Sequence, residues 1–68
     1  MPKKIRELKS LLSRAGFTGR SGKGDHTVWT HRNLPGRRVV LSGNDGDEAK
    51  RYQEKQVERA IREAEGNP

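Results

Sequence analysis

A glycine-rich segment with one histidine is the part of the chain best suited to chemistry; it reads GKGDH over residues 22–26. A histidine exchanges protons near neutral pH, so His26 can serve as a general base or a general acid. Glycines let backbone amides approach a phosphate closely, and Arg20 and Lys23 add positive charge. These residue types fit cleavage of RNA, which needs a base for the 2′-hydroxyl and an acid for the leaving 5′-oxygen.

The spacing leaves the role of His26 open between acid–base chemistry and a turn histidine that caps backbone groups. Asp25 could orient the ring, but adjacent strand residues point to opposite faces, which argues against direct contact. His31 lies five positions further along the same predicted strand. It is expected at the surface, roughly 16 Å from His26 and on the opposite face. Trp29 can stack on a base, yet strand alternation places it under the helices if His26 faces the open side.

Basic charge is concentrated in the first part of the chain, although the net charge of the whole is only +6. Residues 1–43 hold ten Lys or Arg and two Asp or Glu, whereas residues 44–68 hold five basic and seven acidic residues. A polyanion is the natural partner of such a surface, because cations that neutralise phosphates release condensed counterions. The alternative is a solvated basic surface that keeps the protein in solution.

Composition excludes several classes of protein. The 68 residues are enough for one domain, and 28% hydrophobic content predicts a small core. The absence of cysteine excludes disulfides and thiolate zinc sites, and it favours a cytoplasmic location. Two histidines and scattered carboxylates make no metal-ligand set, so we expect neither metal nor cofactor. No apolar run approaches the roughly 20 residues that span a bilayer, so no membrane partner is expected.

Hydrophobic periodicity predicts helix, three strands and helix. The first helix covers residues 3–15 and ends at Gly16, and the second runs from a cap at Asp47 to about Glu65. Short strands are expected at residues 17–18, 26–31 and 37–42. On the second helix, Arg59 and Glu63 are spaced to attract each other. The economical packing is an α+β, αβββα arrangement: a three-stranded antiparallel sheet with two helices on one face and the other face open.

Four features make the chain resemble the HicA family of toxin ribonucleases over about residues 3–64. They are the leading helix ending in Ala-Gly-Phe at residues 15–17, the Gly-Asp-His of residues 24–26 with Thr-Val-Trp after it, the Arg-Val-Val-Leu strand of residues 38–41, and a closing helix. The resemblance implies a double-stranded-RNA-binding-like fold, one HicA-like domain over residues 1–68, cleavage of mRNA, and silencing by a HicB antitoxin. It places the catalytic histidine on His26 and its preceding glycine on Gly24. Many members have Ser where this chain has Asp25, an acid that would favour a protonated histidine if close and would repel phosphate.

The leading hypothesis is therefore the toxin of a type II toxin–antitoxin system, a metal-independent endoribonuclease in which His26 is the acid or base. Arg20 and Lys23 would hold the scissile phosphate. The further candidate RNA contacts are Gly24, Arg37, Arg38, Lys3, Lys4 and Lys9. Two other hypotheses use the same charges: a non-catalytic RNA-binding module of this fold, and a protein-interaction role in which the basic surface docks on an acidic partner.

Overall fold

The computed structural model describes residues 3–66, and it confirms the predicted αβββα order. The elements in chain order are α1 (Ile5–Arg14), β1 (Thr18–Ser21), β2 (Thr27–Thr30), β3 (Arg38–Leu41) and α2 (Arg51–Gly66). The three strands form one sheet in the order β1-β2-β3, and both neighbouring pairs are antiparallel. This is the helix-and-meander arrangement of the double-stranded-RNA-binding-like fold.

The strands of the sheet have one buried and one open face. In β3, Val39 and Leu41 are fully buried, whereas Arg38 and Val40 between them are exposed. Because strand residues alternate between faces, the first two lie against the helices and the other two lie on the open face. Trp29 pairs with Val39 across the sheet, so it belongs to the face beneath the helices.

One hydrophobic cluster joins both helices to the sheet. Helix α1 packs beside β1 and α2 packs beside β3, and the two helices also contact each other. The buried members come from α1, β3, α2 and the segments that connect the elements: Ile5, Leu8, Leu12, Phe17, Leu34, Val39, Leu41, Ala49, Val57, Ala60 and Ala64. Three of these eleven are alanines. The core therefore has few large side chains, as the low hydrophobic content predicts.

The end of α1 is set by Gly16, as the sequence predicts. Gly16 has φ +96°, a left-handed conformation that glycine adopts without the penalty of a side chain. Its N–H donates to the Ser13 carbonyl over 3.1 Å, and the N–H of Phe17 donates to the Leu12 carbonyl over 2.9 Å. This pair of bonds is the Schellman motif, which satisfies the last helical carbonyls and turns the chain into β1.

The predicted start of α2 at Asp47 is wrong. Asp47 serves α1 and its own loop instead: its carbonyl accepts from Ile5 N–H at 2.9 Å, and its carboxylate accepts from Asn44 N–H at 3.0 Å. Helix α2 begins at Arg51, three residues after the first helical position, Glu48, that a cap at Asp47 would give. There Gln53 Oε1 accepts from the Lys50 N–H at 2.8 Å, and the buried Gln53 amide donates to the Ser42 carbonyl of the segment after β3.

Candidate active site

A tight turn between β1 and β2 presents His26. The His26 N–H donates to the Lys23 carbonyl over 3.2 Å, which closes a four-residue turn. Gly24 stands at the first central position with φ +65°, and no non-glycine residue among residues 3–66 has a positive φ. This combination is a type II′ arrangement, whose first central residue is normally glycine. A Cβ on Gly24 would meet nothing within 4 Å, so the glycine is required by the backbone conformation and not by lack of space.

The His26 ring is anchored through one nitrogen. Its Nδ1 lies 3.1 Å from the Lys23 carbonyl oxygen and 3.3 Å from Asp25 Oδ1. Both neighbours are acceptors, so Nδ1 carries the hydrogen in the neutral ring. The other nitrogen, Nε2, has no hydrogen-bond partner among residues 3–66, and 52% of the side chain is exposed. A neutral ring of this tautomer offers an Nε2 lone pair to a bound molecule, and the protonated ring offers an Nε2 proton.

The contact between Asp25 and His26 overturns the expectation that the two side chains point apart. Strand alternation does not extend to Asp25, because the last paired position before β2 is His26 and Asp25 lies in the turn. The contact of the ring with the Lys23 carbonyl agrees with the alternative of a turn histidine that caps backbone groups. The glycine two residues before His26 was the sequence feature that indicated these contacts. A turn centred on glycine brings neighbouring side chains and carbonyl groups to the same side. His26 thus caps the backbone through Nδ1 and still has Nε2 free of any partner among residues 3–66.

The open face of the sheet continues toward this turn. The Gly22 N–H donates to the His26 carbonyl over 2.8 Å and extends the β1–β2 pairing by one position. Arg20 pairs with Val28 in the same register, so alternation puts Arg20, Val28 and His26 on the open face. Arg20 and Lys23 are exposed, and neither forms an ion pair within the described part of the chain. Two cations without an ion pair in the described range therefore stand on β1 and in the turn that carries His26.

The adjacent arginines at the start of β3 lie on different sides of the sheet. Arg38 is exposed on the open face, opposite Thr30 and about 13 Å along the strands from His26. Arg37 instead approaches α2, where its guanidinium lies 3.2 Å from Glu63 Oε2. Of this pair, only Arg38 shares a face with His26. Glu63 binds Arg37 and not Arg59, so the predicted Arg59–Glu63 attraction is wrong.

The three lysines of the first helical segment lie on the helix side of the molecule. Lys4 precedes α1, and its backbone N–H donates to the Glu7 carboxylate at 3.1 Å. Lys9 forms an ion pair with Asp45, in the loop that follows β3. Lys3 is exposed. The fold thus does not bring Lys3, Lys4 and Lys9 to the face that carries His26.

His31 has a structural role that the sequence did not reveal. Its Nδ1 accepts from the Asn33 N–H at 3.0 Å, so in that neutral form Nε2 carries the hydrogen and donates to the Ala15 carbonyl at 3.0 Å. The ring packs edge-on against Phe17 with a centroid distance of 4.8 Å. His31 is half-buried and ties the end of α1 to the loop after β2, so the expectation of a plain surface residue is wrong.

Trp29 packs under the helices, as strand alternation predicts. Its indole N–H donates to Thr27 Oγ1 over 3.0 Å, and the ring contacts the core. The ring lies over Gly19 of β1, where an added Cβ would come within 2.7 Å of the indole carbons. Gly19 therefore provides the space that this side chain occupies.

Residues 3–66 contain neither a metal-ligand cluster nor a membrane-spanning helix. Among these residues, no group of three or more His, Cys, Asp or Glu side chains is arranged to hold a metal ion. No helix in the same range has the length and apolar character needed to cross a membrane.

Comparison with known proteins identifies the family. No curated protein matches the chain. The family model described as the HicA toxin of bacterial toxin–antitoxin systems matches residues 5–65, which include both helices almost entirely, all three strands and the His26 turn. Because that match covers nearly all of the 68 residues, the chain belongs to the HicA toxin family.

Proposed function

We propose that this toxin is a metal-independent endoribonuclease that cleaves mRNA in the cytoplasm, with His26 as its acid–base residue. A HicB-type antitoxin would be the partner that silences it, as membership of a toxin–antitoxin family implies. The observation that carries the proposal is the His26 ring, whose Nδ1 is held by two acceptors while Nε2 is free and exposed.

The free nitrogen has the properties that RNA cleavage needs. Nε2 takes the proton from a ribose 2′-hydroxyl as the 2′-oxygen attacks the adjacent phosphorus. The bond from phosphorus to the 5′-oxygen breaks, and that oxygen takes up a proton from imidazolium or solvent. The products are a 2′,3′-cyclic phosphate and a 5′-hydroxyl end. One acid–base group contributes typically about 10² to 10⁴-fold, which suits a toxin whose damage accumulates.

Positive charge beside the histidine supports binding of the scissile phosphate. Arg20 shares the open face with His26, and Lys23 stands in the turn itself. Both are exposed and free of ion pairs in the described range, so each can meet the charge that develops on the phosphate oxygens. Arg38 would bind RNA further along the same face. Only RNA that extends beyond this face would reach Arg37, Lys3, Lys4 and Lys9. Gly24 would act by shaping the turn.

The test compares the wild-type chain with His26→Gln, and His31→Gln is the matched control at the other histidine. Purified wild-type protein in EDTA is expected to cleave RNA and leave cyclic phosphate ends. His26→Gln should lose at least about 10²-fold in rate while keeping the wild-type melting temperature. His31→Gln should cleave normally wherever it is folded, because its ring is not on the open face.

Growth and mRNA integrity after induction in a bacterial host complete the test. Wild type should arrest growth with loss of mRNA, and His26→Gln should do neither. Cleavage by His26→Gln at the wild-type rate would refute the proposed role of this residue. Tight RNA binding by wild type with no cleavage would instead support the non-catalytic RNA-binding module.

A further inference from the structure

The outer surface of α2 carries four cations in a row. Positions 51, 55, 59 and 62 are spaced by four, four and three residues, which places them along one side of a helix. That side is opposite the buried residues Gln53, Val57, Ala60 and Ala64. The four exposed cations, Arg51, Lys55, Arg59 and Arg62, are called the α2 basic stripe.

The acids of α2 form no ion pair with this stripe. By the same periodicity Glu54 and Glu65 fall on the neighbouring flank of the helix. Glu58 adjoins the stripe, because it lies three residues after Lys55 and four before Arg62, and it lines a shallow depression with Lys55, Arg59 and Arg62. Glu63, which is four residues after Arg59, is bound to Arg37 at 3.2 Å. Within residues 3–66, no member of the stripe forms an ion pair. A helix with four basic and four acidic residues thus presents all four of its cations along one side.

An exposed aromatic residue accompanies the stripe. Tyr52 is 60% exposed, and in the described chain only Val40 is another large hydrophobic side chain with comparable exposure. A shallow open depression beside it is lined by Arg37, Tyr52, Lys55, Gln56 and Arg59. A linear row of cations with an aromatic side chain is the combination that holds single-stranded nucleic acid, the cations on the backbone and the ring on a base.

We propose that the α2 basic stripe, with Tyr52, is a second RNA-binding surface, which holds single-stranded RNA away from the His26 turn. The proposal rests on the proposed function in taking RNA as the polyanion. A protein partner fits this surface less well, because protein interfaces have a largely apolar centre and the stripe offers only Tyr52. The surface lies on the helix side of the molecule, so it is separate from the open face of the sheet.

The experiment measures binding of a fluorescent 2′-O-methyl RNA of about 12 nucleotides, a length within the usual range for single-strand sites. This probe cannot be cleaved through its 2′-oxygen, so active wild-type protein can be used. The test variant is Lys55→Gln/Arg59→Gln. The matched control is Arg6→Gln/Arg14→Gln, which removes the same charge from exposed positions of α1.

The salt dependence of binding separates a local contact from a general charge effect. Two lost phosphate contacts should lower the slope of log K against log salt by about 1.4 in magnitude, at about 0.7 for each contact to a single strand. The α1 control should keep the wild-type slope. Tyr52→Ala should weaken binding by roughly tenfold without changing the slope, because stacking releases no counterions.

Either of two results would overturn the proposal: an unchanged slope for the α2 variant, or an equal loss in both double variants. If Lys55→Gln/Arg59→Gln kept the wild-type salt slope for RNA but lost binding to an acidic protein, the stripe would be assigned to that protein partner. A lowered slope supports the second surface even if ordinary RNA stays intact. Intact RNA would count against the proposed ribonuclease activity alone.

Discussion

His26 shows how a short turn prepares a side chain for proton transfer. The Lys23 carbonyl and the Asp25 carboxylate both approach Nδ1, and each is an acceptor. The neutral ring must therefore carry its hydrogen on Nδ1, the reverse of the preference of an unconstrained histidine. The interaction with Asp25 is half-exposed, so its own contribution to stability is small. Its value lies in orienting the ring so that Nε2 faces outward.

The tautomer of His26 is a direct prediction from these contacts. Nitrogen-15 NMR of the imidazole, recorded where the ring is neutral, should show the Nδ1–H form as the major species. In Asp25→Ala this form should remain but with a smaller share, because the Lys23 carbonyl still accepts. RNA cleavage by Asp25→Ala should fall several-fold through the less ordered ring. A wild-type spectrum dominated by the Nε2–H form would contradict the geometry of the site.

The β1–β2 turn illustrates what the sequence could predict about an element and what it could not. The strand pattern correctly placed Trp29 under the helices. The glycines before His26 correctly indicated a turn, but its predicted start after residue 18 was wrong, because β1 runs on through Gly19 and Arg20 to Ser21. The contact of Asp25 with His26 was missed because alternation was extended to Asp25, which lies in the turn before β2 and not on the strand. A shift of one position at a strand end decides whether alternation governs a side chain.

The turn glycine gives a prediction with an internal control. Gly24→Ala should destabilise the protein by about 1–2 kcal/mol, because an L-residue at φ +65° is strained although its Cβ would meet open space. Gly46→Ala is the control: its Cβ would also meet nothing within 4 Å, and its φ is not positive. That change should be neutral or stabilise by up to about 1 kcal/mol. Urea denaturation measures both, and equal effects would mean that the conformation of Gly24 is not what requires glycine.

Contacts between distant segments account for most of what sequence reasoning missed in the whole molecule. The element order and the buried faces follow from local periodicity, which depends only on the spacing of residues that are close in the sequence. Asp47 was expected to cap α2, yet the fold brings the N-terminus of α1 to its carbonyl. Glu63 was expected to pair along its helix, yet it meets Arg37 from the segment before β3. His31 was expected to be free, yet Ala15 is folded against it. For Asp47 and Glu63 the local pattern predicted the right type of partner but the wrong residue, and for His31 it predicted no partner.

The small core should make the free toxin sensitive to any lost packing. Leu12 is completely buried in the middle of the cluster, so Leu12→Ala should cost about 2–5 kcal/mol. In a domain of this size each kcal/mol lowers the melting temperature by about 4–8 °C, so the variant should melt at least roughly 10 °C lower when alone. Calorimetry of the free chain measures this loss.

The antitoxin should restore much of that stability, because a ligand that binds only the folded state adds about 2.7 kcal/mol at a hundred times its dissociation constant. Leu12→Ala should therefore accumulate as folded protein when co-expressed with the antitoxin, and its melting temperature should rise with antitoxin concentration. His26→Gln, which leaves the core intact, should show the wild-type melting temperature with and without the partner unless His26 itself contacts it. A melting temperature of Leu12→Ala that does not respond to antitoxin would mean that the partner does not bind the folded toxin selectively.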